Sequence, residues 1–163
     1  MNYFELFGLT VSLNIDRSSL AKKYFELQKE HHPDFYTNAD EADQRDALET
    51  SSMINRGLKV LQQPDETIKY VLQLKGLLAE EEKYQLPPDF LMEMMDMNEK
   101  LVEEDPADFR KEVAELENSL YEEIKDIFEN YDDSTVSTES LLKVKEYYFK
   151  KKYLHRILDR LGD

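Results

Sequence analysis

The chain has 163 residues, of which 35% are charged and 40% hydrophobic, and a formal net charge of −15; that size allows one or two small domains. So large an acidic excess argues against a nucleic-acid partner, because phosphate binding relies on lysine and arginine. Cysteine is absent, which excludes disulfides, thiolate nucleophiles and cysteine metal sites together.

No apolar run reaches the ~18 residues that a membrane helix needs, so neither a span nor a membrane partner is expected. The start Met1-Asn2-Tyr3-Phe4 lacks a basic region leading into an apolar one, so no secretory signal is expected. A cytoplasmic location is the expectation, and the absence of thiols is compatible with it. Charge is uneven along the chain. Residues 1–75 hold nine lysines and arginines against twelve aspartates and glutamates, and residues 76–163 hold twelve against twenty-four. This asymmetry suggests two bodies with different partners, placed at residues 1–76 and 77–163.

In chain order, Tyr3 to Gly8 reads as one helical turn with an apolar plug of Tyr3, Phe4, Leu6 and Phe7, which Gly8 ends. Asp16 suits the N-cap of a second helix. There Leu20, Tyr24, Leu27 and His31 fall at helical spacing and form the stripe expected to be buried. Lys22, Lys23 and Lys29 lie off it. Pro33 ends this helix, since proline interrupts the ladder and pushes the preceding residue towards extended geometry. His32-Pro33-Asp34 should therefore stand at a sharp, exposed exit, followed by a loop over 35–40. Asn38 or Asp40 can cap a third helix, whose Ala47, Ser51, Ile54, Leu58 and Leu61 form a seam facing the second. Pro64 stops it. Asp65 is expected to cap a fourth helix, which carries Ile68, Val71 and Leu72 up to Gly76.

Residues 77–88, with Glu80-Glu81-Glu82 and Pro87-Pro88, read as a solvated junction. Three helices should follow. Asp89 is the expected cap of the first, which runs to about Glu104. Asp105-Pro106 restarts the chain, with proline at the first helical position. Phe109, Val113, Leu116, Leu120, Ile124, Ile127 and Tyr131 stripe the next helix. The last runs from about Thr138 to Leu161, with Val144, Tyr148 and Leu158 as its stripe, Lys151 close beside it and Phe149 on the opposite side.

Tyr3-Phe4-Glu5-Leu6-Phe7-Gly8-Leu9, a basic helix, His32-Pro33-Asp34 and a third helix, in that order, resemble the J-domain of DnaJ-type co-chaperones. Ser52-Met53-Ile54-Asn55, Leu61, Pro64, Tyr70-Val71-Leu72-Gln73-Leu74-Lys75-Gly76 and Phe90-Leu91-Met92-Glu93 narrow the resemblance to the HscB family, the J-type co-chaperones of iron–sulfur cluster assembly. The chain departs from that pattern at Thr67-Ile68, where the family usually has Arg-Ala. The resemblance implies that His32, Pro33 and Asp34 contact a DnaK/HscA-type chaperone, with Lys22, Lys23 and Lys29 steering the encounter.

The helix after Pro88 carries more apolar surface than one core needs. Phe90, Met94, Met97 and Leu101 share one side, while Leu91, Met92 and Met95 fall nearly opposite, beside Asp96, Glu99 and Glu103. An adaptable methionine patch rimmed by carboxylates suits protein docking. The bland reading is that it packs against the first body. The resemblance implies that Leu91, Met92, Met95, Asp96, Glu99, Glu103 and Phe149 bind an IscU-type iron–sulfur scaffold protein.

Other chemistry finds little support. No glycine-rich phosphate loop is present. Glu30-His31-His32 lacks a paired histidine one turn away, and His155 stands alone. No catalytic residue, metal ligand or cofactor is expected, and the chain does not read as an enzyme. Lacking cysteine, it would act on a cluster only indirectly. The expected fold is all-α: an N-terminal J-domain helical hairpin plus a C-terminal three-helix bundle, L-shaped. The expected function is to stimulate the chaperone's ATPase and deliver the scaffold to it. Two competitors are a J-domain adaptor for a different client and a helical enzyme using acidic residues.

Overall fold

A computed structural model describes residues 1–162. Among these residues it contains seven α-helices, one short 3-10 helix and no strand, in agreement with the all-α expectation. No helix among them is long and apolar enough to cross a membrane. Two compact units are formed, Met1–Val71 with Asp132–Ser134, and Leu72–Tyr131 with Thr135 onward.

In the first unit, α1 (Tyr3–Phe7), α2 (Arg17–His31) and α3 (Glu41–Leu61) pack together. Their ends follow from side-chain chemistry. Asp16 accepts from the Ser19 backbone N–H at 3.0 Å and Asp40 from that of Asp43 at 2.8 Å, so orphan donors of both helix starts are satisfied. The Ser19 side chain and then its backbone N–H hold the Asp16 carboxyl below the usual carboxylate range. At the end of α1, Gly8 has φ of 66°. That left-handed turn lets Leu9 N–H reach the Phe4 carbonyl at 2.8 Å, a geometry in which a Cβ would be strained.

The core of this unit is Phe4, Phe7, Leu13, Leu20, Ala47, Ile54 and Leu61, with Ile68 and Val71 from α4 (Pro64–Leu74). Tyr3 stacks on Tyr70 with centroids 4.9 Å apart. Gly57, not Leu58, fills the tightest point of the α3 seam: a Cβ there would lie 2.9 Å from Phe7 and 3.1 Å from Tyr3. Leu58 is half-buried. The expected α2 stripe is also only partly enclosed. Leu20 is buried, whereas Tyr24, Leu27 and His31 are half-buried, because the α2–α3 seam is partly polar. Tyr24 Oη and Gln28 Nε2 both donate to Asn55 Oδ1, at 2.9 and 3.0 Å, and buried Ser51 donates to Gln28 Oε1 at 3.0 Å. Asp65 does not stand at a cap position. Pro64 opens α4 and Asp65 lies inside its first turn, since proline is preorganised for the first helical position.

In the second unit, α5 (Pro88–Glu103), α6 (Pro106–Glu129) and α7 (Thr138–Gly162) form the three-helix bundle. Asp105 caps α6, accepting from Ala107 N–H at 2.8 Å, with Pro106 next to it as expected. Asp89 does not cap α5. Pro87 occupies that position with no side-chain bond, and Asp89 lies in the first turn, where its charge still favours the helix dipole. Phe90, Met94, Met97, Phe109, Val113, Leu120 and Ile124 are buried. Leu101, Leu116, Ile127 and Tyr131 are half-buried.

The α7 stripe differs from expectation. Leu141, Val144, Tyr147, Leu154 and Ile157 are buried, while Tyr148 and Leu158 are half-buried. The reason is that α7 packs on both α5 and α6, so its buried arc is centred between them. Lys151 lies within that arc. It is accommodated because its ammonium sits 3.6 Å from Glu117 on α6 and 5.8 Å from the Tyr147 ring centroid. His155 is not alone either. Its Nε2 lies 2.6 Å from the same Glu117 carboxylate.

Candidate functional site

One candidate surface lies at the end of α2. His32 keeps its N–H bonded to the Gln28 carbonyl at 2.8 Å, but φ −63° and ψ 134° turn it into extended geometry, as a following proline requires. The chain then does not run straight into a loop. Pro33–Tyr36 winds into a 3-10 turn, closed by Phe35 N–H on the His32 carbonyl at 3.0 Å. Tyr36 Oη donates back to the Glu30 carbonyl at 2.9 Å. That bond satisfies one of the carbonyls that the helix end leaves open and fastens the turn to α2. On the far side, Gln44 Nε2 donates to the carbonyls of Thr37 and Ala39, at 3.2 and 3.0 Å, which ties the connection to α3.

The turn presents its groups outward. The Asp34 side chain is 85% exposed, and His32 and Pro33 are half-buried. His32 Nδ1 accepts from Asp34 N–H at 3.2 Å. The Asp34 carboxylate stands 3.6 Å from the same nitrogen. The turn therefore displays an imidazole edge, a proline and a solvated carboxylate at the surface.

Lys22 and Lys29 are exposed on α2, seven residues apart and thus on nearly one side. Lys23 is half-buried, with its ammonium close to Gly8, and is less available to a visitor. Two exposed rings not among the sequence-predicted site residues lie here as well, Phe25 between Lys22 and Lys29, and Phe35. Phe25 sits off the Leu20/Leu27 stripe, which was the available signal.

A second surface lies on α5. Its buried methionines are Met94 and Met97, at 0% and 6% exposure, whereas Met92, Met95 and Leu91 are 67%, 65% and 38% exposed. Asp96, Glu99 and Glu103 are exposed beside them. Val102, missed from sequence, is 86% exposed. It falls about 20° from Leu91 on the same wheel, so the periodicity already contained it.

Phe149 is half-buried, not freely exposed. One of its faces is covered by Tyr84, parallel within 5° at a centroid distance of 4.6 Å, and Tyr148 meets it edge-on at 5.2 Å. Residues 82–86 therefore do not form a simple solvated junction. Glu82 is clamped to Lys145 at 2.6 Å and accepts from Ala79 N–H at 3.1 Å. The Lys145 bond, then the Ala79 bond, hold its carboxyl below the usual range. Burial, followed by the nearby Glu146 and Glu82 charges, pushes the Tyr84 phenol up. Leu91, Phe149, Tyr84 and Leu86 line one open groove of about 640 Å³. The structure thus brings Leu91 and Phe149 together, although they are far apart in sequence.

The family model described as the HSCB C-terminal oligomerisation domain matches residues 86–162. The chain is similar to the co-chaperone protein HscB homologue of Shewanella halifaxensis, with 34% identity over 168 residues, covering 99% of this chain and 95% of that protein. Its counterpart in Shewanella pealeana is 39% identical over 132 residues, covering 78% and 74%. Among solved structures, chaperone HscB from Vibrio cholerae matches with a TM-score of 0.75 and 25% identity over 99% of this chain and 96% of that one. Human co-chaperone protein HscB matches with a TM-score of 0.81 and 24% identity over 99% and 81%, a likeness that speaks for the fold. The relatives are named as co-chaperones, not enzymes. The length and identity of these matches, together with the exposed His32-Pro33-Asp34 turn on an all-α scaffold, place the chain in the HscB family of co-chaperones.

Proposed function

We propose that this co-chaperone stimulates the ATPase of a DnaK/HscA-type chaperone and delivers an IscU-type iron–sulfur scaffold protein to it. In this reading residues 1–76 face the chaperone and residues 77–163 hold the scaffold. His32, Pro33 and Asp34 make the chaperone contact, and Lys22 and Lys29, with the less exposed Lys23 in a lesser role, steer the encounter towards an acidic surface. Leu91, Met92, Met95, Asp96, Glu99, Glu103 and Phe149 dock the scaffold. The observation that carries the reading is the exposed His32–Asp34 turn, held in place by the Tyr36–Glu30 hydrogen bond of 2.9 Å.

Nothing in this mechanism requires a catalytic group in the chain. Binding that favours the hydrolysis-competent state of the chaperone shifts its population. Holding the scaffold on the same polypeptide raises its effective concentration at the chaperone. The test is a reconstituted ATPase assay with a candidate DnaK-type chaperone, with and without the scaffold. Replacing Asp34 by Asn removes one charge from a fully formed turn. Stimulation should disappear while helix content and scaffold affinity stay unchanged. Full stimulation by Asp34→Asn would refute the assignment.

A further inference from the structure

α7 brings a second sign of charge to the docking face. Phe149, Lys152, Arg156 and Arg160 follow one another at three- and four-residue steps, so they share one side of the helix. Arg160 Nη1 donates to Asn98 Oδ1 on α5 at 3.0 Å. Lys152 and Arg156 line the same groove as Leu91 and Phe149. The basic side of α7 therefore borders the edge of α5 that carries Asn98 and Leu91.

The order of groups across α5 then follows from its pitch. With Leu91 at zero, Asn98 falls at about −20°, Val102 at about 20° and Met95 at about 40°, and Glu99, Met92, Glu103 and Asp96 follow between about 80° and 140°. Moving outward from α7, the surface is cationic, then apolar, then acidic. The cations are available. Lys152 and Arg156 are exposed and have no ion pair among the described residues, Lys152 resting 6.0 Å from the Tyr148 ring centroid. Lys145 and Lys150 on the same helix are instead paired with Glu82 and Glu146, at 2.6 and 3.6 Å. Unpaired cations beside an exposed apolar strip stand out in a chain of net charge −15.

We infer that this face recognises its protein partner by polarity as well as by apolar contact. The inference rests on the scaffold-docking reading above and adds what the scaffold must present: an apolar patch with carboxylates on the side facing Lys152 and Arg156, and lysines or arginines on the side facing Asp96, Glu99 and Glu103. A rim of one sign would attract a partner without fixing its rotation. Two rims of opposite sign penalise the reversed pose, because like charges are then brought together. Phe149, already stacked on Tyr84, forms the α7 end of the apolar strip.

The test uses the full chain titrated calorimetrically against an IscU-type scaffold at low and high salt. Three variants are compared: K152E/R156E, the milder K152Q/R156Q, and Leu91→Ala with Met92→Ala and Phe149→Ala. The glutamate pair should weaken binding by about tenfold or more and the glutamine pair by less, since an opposed charge adds repulsion to a lost attraction. The affinity of the parent chain should fall with salt, and that of the glutamine pair should fall less steeply. Thermal unfolding should be unchanged in both charge variants. If the apolar variant loses affinity while both charge variants bind and respond to salt like the parent, the polarity inference is overturned and the docking reading stands. If the parent does not bind, or the apolar variant binds equally well, the docking reading fails and the inference with it.

Discussion

Met94 and Met95 are neighbours with the same side chain, one buried and one exposed, and the proposed docking role gives them opposite tasks. Met94 is 0% exposed and Met95 is 65% exposed. Truncating Met94 to alanine removes buried atoms and leaves a cavity, which typically costs about 2–5 kcal/mol of stability. Truncating Met95 removes almost nothing that the free chain uses, so its unfolding midpoint should be nearly that of the parent. If the proposed docking role holds, its cost appears on binding the scaffold. Fully burying such a side chain contributes about 1.5–3 kcal/mol, and two thirds of it remains to be buried, so Met95→Ala should lose about 1–2 kcal/mol of scaffold binding. That is about a 5- to 30-fold weaker affinity. Urea unfolding followed by circular dichroism gives the first quantity and calorimetric titration with the scaffold gives the second. Equal destabilisation by Met95→Ala and Met94→Ala, or an unchanged scaffold affinity of Met95→Ala, would contradict the proposed docking role of Met95.

Gly57→Ala should destabilise the chain by about 1–3 kcal/mol by urea unfolding, although alanine is the better helix former, because the added methyl would overpack against Phe7 at 2.9 Å and Tyr3 at 3.1 Å; a stabilised variant would show that the α1–α3 seam is looser than described. Glu82 provides a test in pH. Its carboxyl is held below its ordinary value of 4.5 by the Lys145 and Ala79 bonds, so it contributes stability above that pH and loses it as the pH falls through the lowered value. Parent and Glu82→Gln should therefore differ most near neutral pH and converge in acid; a difference that grows on acidification would contradict the assignment.

Much of the local structure was legible from residue order. Asp16, Asp40 and Asp105 cap helices because short acceptors reach free N–H groups two or three residues on. Pro33 and Gly8 end helices for reasons of backbone sterics alone. The split of α5 into buried Phe90, Met94 and Met97 and exposed Leu91, Met92 and Met95 follows from a period of 3.6. The expectations that failed did so for two reasons, helix packing and proline at a helix start. The Val144/Tyr148/Leu158 stripe expected for α7 gives way to a buried arc of Leu141, Val144, Tyr147, Leu154 and Ile157, because α7 packs on two neighbours. Asp65 and Asp89 lie inside the first turn and do not cap, because a preceding proline occupies the helix start.

What the order of residues determined by itself was which segments coil, where they stop, and that an imidazole–proline–carboxylate turn and a spare methionine face exist. Only the tertiary arrangement decided that Tyr84 backs Phe149, that Glu82 holds Lys145, that Glu117 meets both Lys151 and His155, and that Lys152 and Arg156 border Leu91. The physical reason is range. Caps and stripes are set by neighbours within two turns, whereas these contacts join residues far apart along the chain, and no local periodicity encodes which distant side chain will stand opposite.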